Sequence, residues 1–506
     1  MTFHLPRRTV LAAPLLALAA PLRAQGARLG TLRYATLGLD TADPHRHTGS
    51  IAVQQVYAEA LTSIGPDGGV EPFLAERITQ SEDGRVVSFT LREGVAFHDG
   101  TPMDAAAVAA NVTRVRDRVR GGWLATAMRL VEAVETPDPR TLTLRLSEPY
   151  APLMTSLSEL WILSPRSPGF DGTITRPIST GPFLFGQWQP NVRLAAPTNQ
   201  NYWRAGQPFL ESVQFDLRGE TDKALALRAG DLHIADVPHA VAGQLRADPR
   251  FTVQGLRDTS WYFVSFNNRR PRAPWDDIRV RRAVGHAMDK AAFMRFEAGE
   301  AGVPTNQMVA PGNLYFDQAL HDADPYARPD MDRARALLAE AGVDPARTRP
   351  VEFVSWQQPY AQVAVQTLRR LGFTVNHVAL DDLGTQRRLG QYDWDINCMS
   401  SGPRADIFLR FVRLMSDGPN PVLWGGIQDA ELDRLIRAGA AEPDDAARKR
   451  HYAAAFARVM ERHYFIVLGH AANQIAWRAE VQGYTTGFTW ASHRADGGLA
   501  VTRLAG

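Results

Sequence analysis

The stretch CMSSGPRADIFLRF, residues 398–411, brings together side chains that could bind or react. It contains the chain's only cysteine, Cys398, followed by hydroxyl, guanidinium and carboxylate groups. A catalytic cysteine needs a base and an orienting group close in space. The preceding residues, DWDINCM, have the apolar pattern of a strand, and a cysteine in such a strand is usually a small core residue. We therefore expect a buried, structural Cys398 and a polar loop after it.

The signatures of common catalytic sites are missing from the sequence. It has no G-x-S-x-G elbow, no H-E-x-x-H, no C-x-x-C and no G-x-x-x-x-G-K-[ST] phosphate loop. Isolated histidines such as His45, His47 and His463 do not provide the converging ligands that a metal needs, so we predict no metal and no cofactor. Carboxylate pairs such as Asp276-Asp277 leave one enzymatic alternative, a secreted hydrolase or glycosidase that uses two acids in a cleft.

Two tryptophans stand where predicted strands begin or end near a domain edge. These are Trp261 and Trp356. Core packing is one interpretation of each, because tryptophan buries a large apolar area. The other is a binding cleft, in which aromatic walls surround a few polar groups. We predict that both tryptophans are walls of a ligand site.

The length and composition indicate a globular protein of several domains. A chain of 506 residues is too long for one compact core, so two or three domains are expected. Its 45% hydrophobic and 22% charged residues are ordinary proportions for a soluble protein.

The first 24 residues, MTFHLPRRTVLAAPLLALAAPLRA, predict a signal peptide. They join two arginines to a short apolar run that ends in small residues. Arg7-Arg8 fits a twin-arginine signal, but adjacent arginines also occur in ordinary secretory signals, so both export routes stay open. No cysteine follows the run, so we expect no lipid anchor. No later segment offers the ~20 apolar residues of a transmembrane helix. The expected location is the periplasm.

The charge balance argues against nucleic-acid binding. Cleavage of the signal would remove Arg7, Arg8 and Arg23 and no acid, so the 56 basic residues fall to 53 against 54 acidic ones, a net charge of −1. Nucleic-acid binding depends on clustered cations that neutralise phosphates. We therefore expect no nucleic-acid partner.

Residues 51–171 have the pattern of an α+β unit. The segments VVSFTL (86–91) and TLTLRL (141–146) alternate apolar and polar residues, as half-buried strands do. Between them, Asp104 is placed to cap a helix whose valines recur at helical spacing.

Residues 351–400 have a different pattern, in which strands and helices alternate. VEFVSW, FTVNHVAL and DWDINCMS read as strands, and helical segments separate them. This order predicts a parallel or mixed sheet. Ligands bind at the carboxyl ends of the strands in such sheets, and the polar loop after Cys398 begins at one of those ends.

Four segments, in order, resemble one known family. They are DGRVVSFTLREGVAFHDGTP (83–102), STGPFLF (179–185), NQNYW (199–203) and FNNRRPRAPWDDIRVRRAVGHAMD (266–289). The chain is identified from them as similar to the extracellular solute-binding proteins of family 5, the dipeptide-, oligopeptide- and nickel-binding proteins of ATP-binding-cassette (ABC) importers.

The resemblance implies an α/β fold of the periplasmic-binding-protein type (type II, cluster C). Two α/β lobes would close on a ligand cleft, and a third, α+β lobe would be inserted. Lobe I would comprise residues 25–50, 172–258 and 476–506, lobe II 51–171, and lobe III 259–475. The implied function is to carry a small solute or short peptide, held between lobes I and III, to the permease of an ABC importer, as a monomer and without catalysis.

The polar loop narrows the kind of ligand that the resemblance implies. Peptide-binding members have, after the corresponding strand, an aspartate that pairs with the peptide's amino group, and Ser401 occupies that position here. An ammonium group without an anionic partner is costly to bury, so free-amine peptides become less favoured but stay open as ligands. Arginine matches the geometry of a carboxylate or phosphate. We predict a site for a peptide-like or other polar or anionic solute formed by Trp261, Trp356, Ser400, Ser401, Arg404 and Asp406.

Overall fold

The computed structural model describes residues 30–36, 38–46, 51–120, 123–218, 222–418, 421–489 and 498–505. The predicted signal peptide lies outside these ranges. Within them, no helix is both long and apolar enough to cross a membrane.

The described strands are, in chain order, β1 (Thr31–Ala35), β2 (Thr62–Ile64), β3 (Val70–Pro72), β4 (Ala75–Gln80), β5 (Val86–Leu91), β6 (Val131–Asp138), β7 (Thr141–Leu146), β8 (Trp188–Gln189), β9 (Arg193–Pro197), β10 (Ser212–Asp216), β11 (Ile234–Val237), β12 (Phe251–Gly255), β13 (Ser260–Phe266), β14 (Val303–Pro304), β15 (Val351–Trp356), β16 (Val375–Leu380), β17 (Ile396–Ser401), β18 (Phe465–Ala471), β19 (Gln474–Arg478), β20 (Val481–Gln482) and β21 (Arg503–Leu504).

The described α-helices are α1 (Ile51–Gln54), α2 (Ala105–Arg118), α3 (Trp123–Met128), α4 (Leu153–Leu157), α5 (Lys223–Ala229), α6 (His239–Arg246), α7 (Ile278–Ala287), α8 (Lys290–Ala298), α9 (Gln318–Asp322), α10 (Met331–Glu340), α11 (Ala361–Arg370), α12 (Asp382–Gly390), α13 (Ile407–Phe411), α14 (Ala430–Ala441) and α15 (Asp445–Arg462).

Three large sheets organise these elements. The first has the order β12-β19-β11-β1-β10-β9-β8, the second β14-β18-β13-β17-β15-β16, and the third β4-β5-β7-β6. The first two are mixed sheets, and the third is antiparallel. Two mixed α/β units and one antiparallel unit confirm the predicted fold class. In the second sheet, β15 runs parallel to both β16 and β17, as the alternating pattern predicted.

The strands of each large sheet come from one of the three sets of segments that the sequence assigned to lobes, and we keep the names lobe I, lobe II and lobe III. One strand crosses an assigned limit, because β19 begins at Gln474 and belongs to the first sheet. Helix α1 and the buried Trp161, which we had assigned to lobe II, share a hydrophobic core with the strands of lobe I. Lobes I and II therefore share one hydrophobic core where they meet.

A buried ion pair joins lobes I and II. The guanidinium of Arg114, on α2, donates to both carboxylate oxygens of Asp43 at 3.1 and 2.6 Å, and both side chains are almost fully buried. The same guanidinium donates to the carbonyl oxygens of Phe170 and Gly172, and the N–H of Ile174 donates to Asp43. A buried charge is tolerated when its partner and hydrogen bonds are all in place, as they are here.

A second buried carboxylate explains two of the family-like segments. Glu59 accepts hydrogen bonds from the Thr180 hydroxyl at 2.9 Å, the Tyr202 hydroxyl at 2.6 Å and the Trp203 indole N–H at 2.9 Å. The pKa of Glu59 is raised, because the effect of burial is larger than the opposing effect of these three donors. The segments STGPFLF and NQNYW thus meet at one acid, and their polar residues hold the fold together.

Two chain segments connect lobe I to lobe III. One runs from β12 to β13, and the other from β18 to β19. They are joined by hydrogen bonds from the N–H of Leu256 to the carbonyl of Asn473, at 2.9 Å, and from the Ser260 hydroxyl to the Asn473 side chain, at 2.7 Å. Paired crossing segments of this kind absorb the backbone rotation when two lobes close, so we call residues 256–259 and 472–473 the hinge.

Removing the charge of Asp43 should destabilise the folded protein. Asp43→Asn leaves Arg114 buried without its anion, and we expect the free energy of unfolding to fall by about 3–5 kcal/mol at neutral pH in urea titrations. The Arg114 hydrogen bonds and charge hold the pKa of Asp43 below its usual 3.8 despite burial, so the stabilisation is present at neutral pH. The difference between the two proteins should shrink as the pH falls through that lowered pKa.

The matched control is Asp171→Asn. Asp171 pairs with Arg118 on the surface, where its side chain is 88% exposed. Exposed pairs contribute less than about 1 kcal/mol. Equal losses for the two variants would contradict the role assigned to Asp43.

Candidate functional site

Asp406 lies in a structural ion pair. Its side chain caps α13 by accepting from the N–H of Phe408 at 2.7 Å. Its carboxylate is also held by both terminal nitrogens of Arg448 on α15, at 3.0 and 2.7 Å. Both side chains are buried. The carboxylate that we predicted as a ligand contact is therefore occupied by an arginine of the same lobe.

Arg404 lies where the polar loop meets the hinge. The backbone N–H of Arg404 donates to Asp258 Oδ2 at 2.9 Å. The same oxygen accepts from Arg410 on α13 at 2.7 Å, and Asp258 Oδ1 accepts from the N–H of Thr259 at 2.8 Å. Since Asp258 belongs to the hinge, one carboxylate fixes both the loop and the following helix to the segment that joins the lobes.

A narrow cavity lies beside this loop. Its interior of about 10 Å³ has room for about one water molecule, within about 240 Å³ of space that includes its open mouth. Residues 403–405 line one side, and polar groups of Thr155, Ser158, Glu159 and Thr489 line the other. The two sides come from different lobes, because residues 403–405 belong to lobe III. A solute in this cavity would contact side chains from both sides of the cleft.

Arg404 and Glu159 line the cavity, and three more charged groups lie near them. Arg404 interacts electrostatically with Arg410 and Asp258, and Arg413 interacts with Arg404, Arg410 and Glu159. Arg410 is paired with Asp258. The two lining charges balance, and the five groups together carry a net charge of +1. Burial, reinforced by the charge of Arg404, lowers the pKa of Arg413 to about 9, and burial also lowers the pKa of Arg404. An anion placed beside Arg404 would offset both of these effects.

The sequence reasoning missed Arg410 and Arg413. They stand three residues apart in the otherwise apolar segment IFLRFVRLM, and that spacing puts them on one side of a helix. Two charged residues on the apolar helix that follows a predicted ligand loop are the signal that could have identified them.

The two serines do not form one polar edge. Residues on a strand alternate between the faces of the sheet. Ser400 therefore shares a face with Cys398, and Ser401 lies on the opposite face. Cys398 is fully buried in the core beneath the lobe III helices, and burial raises the pKa of its thiol well above the usual value. It is the core residue that its strand pattern predicted.

The two tryptophans do not reach the cavity in this structure. Trp261 has no exposed surface. It stacks on Trp424, with ring centroids 5.0 Å apart, and packs at a tilt against Phe263, with centroids 4.9 Å apart. Trp356, at the end of β15, is half-buried against the same hydrophobic core. Neither lines the cavity beside Arg404. We place Trp261 in the core of lobe III. Of the six predicted residues, Arg404 is the one that lines this cavity.

Across the described parts of the chain, no three His, Cys, Asp or Glu side chains are grouped closely enough to hold a metal ion.

Comparison with known proteins identifies the family. Two α/β lobes joined by a double hinge, with an inserted third lobe, define a periplasmic-binding-protein fold. The model of the bacterial extracellular solute-binding proteins, family 5 middle region, matches residues 69–412. The chain therefore belongs to the extracellular solute-binding proteins of family 5, a family of substrate-binding proteins rather than enzymes. The predicted membership is confirmed, and the hydrolase alternative has no support.

Two curated relatives illustrate the similarity. Di/tripeptide-binding protein 2 of Pseudomonas aeruginosa (strain UCBPP-PA14) is 27% identical over 486 residues, which are 87% of this chain and 90% of that protein. Glutathione-binding protein GsiB of Salmonella typhimurium is 27% identical over 354 residues, 67% of each chain.

Solved structures share the fold. The binding protein AgaA in complex with agropinic acid, from A. tumefaciens R10, has a TM-score of 0.81 at 24% identity and covers 94% of this chain and 99% of its own. The periplasmic binding protein DppA of Helicobacter pylori, in complex with the peptide STSA, has a TM-score of 0.81 at 20% identity, with 94% and 98% coverage. At these identities the likeness concerns the fold alone.

The two arginines of α13 and the turn after it should have opposite effects on stability. The folded protein holds the Arg413 proton less tightly than an unfolded chain does, so this buried charge lowers stability at neutral pH. We expect Arg413→Met to raise the melting temperature by about 2 °C or more. Arg410→Met should lower it, because Asp258 then loses a buried partner.

Differential scanning calorimetry at pH 7 would measure both changes. A lower melting temperature for Arg413→Met, equal to that of Arg410→Met, would show that Arg413 is a structural residue like its neighbour.

Proposed function

We propose that this chain is the periplasmic solute-binding component of an ABC importer. It captures a small solute that carries a carboxylate or another anionic group and delivers it to the membrane permease. The observation that carries this proposal is the interlobe cavity lined by the half-buried Arg404, with Arg410 and Arg413 close to it. The membership of family 5 supports the transport role.

The charge of the cavity decides which solutes it favours. A half-buried guanidinium beside other arginines has lost part of its hydration, and an anion beside Arg404 would add a favourable charge interaction. The hydroxyl groups of Thr155 and Ser158 on the facing side can form hydrogen bonds with the polar part of the solute. A peptide-like molecule with a terminal or side-chain carboxylate suits this chemistry and would enter with the lobes open, because the cavity in this structure has room for about one water molecule. The names of the two curated relatives, a di/tripeptide-binding and a glutathione-binding protein, support the same class.

Binding and transport would be linked by closure of the lobes. A solute that contacts lobe III through Arg404 and the facing side through Ser158 and Glu159 interacts more strongly when the cleft is closed. It thereby shifts the equilibrium toward the closed form, which the permease recognises. No covalent bond of the solute needs to break, so we propose no enzymatic activity.

The remaining parts of the proposal come from the sequence. We propose export to the periplasm by the signal peptide in residues 1–24, by either the secretory or the twin-arginine route. We also propose that the mature protein works as a monomer without a lipid anchor, a cofactor or a nucleic-acid partner.

Replacing Arg404 should weaken solute binding. The solute is first identified by native mass spectrometry of the protein purified from the periplasm without denaturation, and is then titrated calorimetrically. We expect Arg404→Ala to reduce its affinity at least tenfold, or about 1.4 kcal/mol. Arg404→Lys should lie in between, because lysine keeps the charge and loses the planar fork.

Arg250→Ala is the control. Arg250 is exposed and pairs with Asp248 at 2.7 Å on the surface of lobe I, so affinity should be unchanged. If Arg404→Ala left the affinity within a factor of two, or about 0.4 kcal/mol, the arginine contact would be rejected.

Prolonged incubation should leave the solute intact. Mass spectrometry after release from the protein should recover the solute at its original mass, because the proposed role requires the protein to bind the solute and not to change it chemically. Hydrolysis products that depend on an acidic residue of the cavity, such as Glu159, would establish the enzymatic alternative.

A further inference from the structure

Lobe II contacts lobe III at a point separate from the solute cavity. The backbone N–H of Ala151, which follows β7, donates to the carbonyl of Ala440 on α14 at 2.9 Å. Next to it, the ring of Tyr150 packs edge-to-face on Phe408 of α13, with centroids 5.5 Å apart and an interplanar angle of 87°. None of these residues lines the cavity beside Arg404.

This contact is buried. Tyr150 is 4% exposed, Phe408 3% and Ala440 6%. Edge-to-face aromatic pairs add a directional attraction to the burial of apolar area, and a hydrogen bond shielded from water is stronger than an exposed one. The cores of lobes II and III join in one hydrophobic cluster that contains Tyr150 and Phe408.

The contact involves α13, the helix that carries Arg410. Phe408 lies on α13 between two ion pairs. Asp406, just before the helix, is paired with Arg448, and Arg410, on the helix, is paired with the hinge residue Asp258. Packing of Tyr150 against α13 therefore acts on the helix that is fixed to the hinge.

We propose that lobe II is a latch on lobe III. The latch comprises Tyr150 and Ala151 on lobe II and Phe408 and Ala440 on lobe III, and it holds the two lobes together without any contribution from solute. Its consequence for solute affinity rests on the proposed function, because a larger closed population raises the apparent affinity of a ligand that needs the closed form. The latch itself is a property of the chain alone.

A disulfide across the latch tests it without any solute. Residues joined by a backbone hydrogen bond have Cα atoms close enough for a disulfide, so Ala151→Cys with Ala440→Cys should oxidise readily. Cys398 is buried and does not compete. The rate of cross-linking in dilute oxidised dithiothreitol then reports how much of the protein has lobes II and III in contact.

Removing the aromatic contact should slow the cross-link. We expect Tyr150→Ala, added to the cysteine pair, to slow disulfide formation at least tenfold. Phe408→Leu keeps an apolar side chain at the partner position and should slow disulfide formation by a smaller factor. This second variant changes lobe III, so it tests the contact even if Tyr150→Ala disturbs the folding of lobe II. Tyr326→Ala removes an aromatic residue that packs on His286 within lobe III, away from the latch, and should leave the rate unchanged.

The outcomes separate this proposal from the function. Slower cross-linking in Tyr150→Ala and Phe408→Leu, with near-ultraviolet circular dichroism intact, supports the latch whether or not an anionic solute binds. Rates equal to that of the cysteine pair alone would overturn the latch and leave the Arg404 test unaffected. A rate that falls equally in Tyr326→Ala would also overturn it, since the effect would then be general loosening.

Discussion

One shared oxygen atom holds the centre of this molecule in place. Asp258 Oδ2 accepts hydrogen bonds from both the backbone N–H of Arg404 and the guanidinium of Arg410. Asp258 belongs to a segment that crosses between lobes I and III. The loop that contains Arg404 and the helix α13 that follows it are therefore both fixed to the hinge by one residue. A carboxylate suits this task because it accepts several hydrogen bonds at once and its charge compensates a buried arginine.

Under the proposed function, the charges at the cavity serve binding at some cost in stability. Arg410 is paired with Asp258, and burial and the neighbouring arginines lower the pKa of Arg413 although Glu159 opposes this shift. An arrangement that keeps like charges close together is unfavourable for folding and favourable for receiving an anion. Binding sites commonly retain such locally unfavourable groups, because the ligand completes the set of interactions.

The lobes are joined by polar contacts of two kinds. Asp43 and Arg114 link lobe I to lobe II through a buried ion pair, and Glu59 gathers donors from two distant segments. These contacts are satisfied within the protein and fix the two lobes as one body. The two crossing segments at the hinge are joined by a few hydrogen bonds, which include those of Asn473 with Leu256 and Ser260 and the one between the Thr259 hydroxyl and His470 Nδ1. Relative motion is therefore expected at the hinge, between that body and lobe III.

Local patterns in the sequence were enough to predict the alternating strands, the cap at Asp104, the parallel arrangement of β15 to β17, the buried Cys398 and, through four ordered segments, the family. These features depend on neighbours within a few residues, where periodicity and capping rules apply. The site was only partly predictable. Arg404 lines the interlobe cavity, and its contact with a solute stays a prediction, while Asp406 is paired with Arg448 and Trp261 is stacked in the core. Only the tertiary structure decided these outcomes, because an ion pair or a ring stack depends on the distance between residues far apart in the chain, and no local pattern encodes that distance.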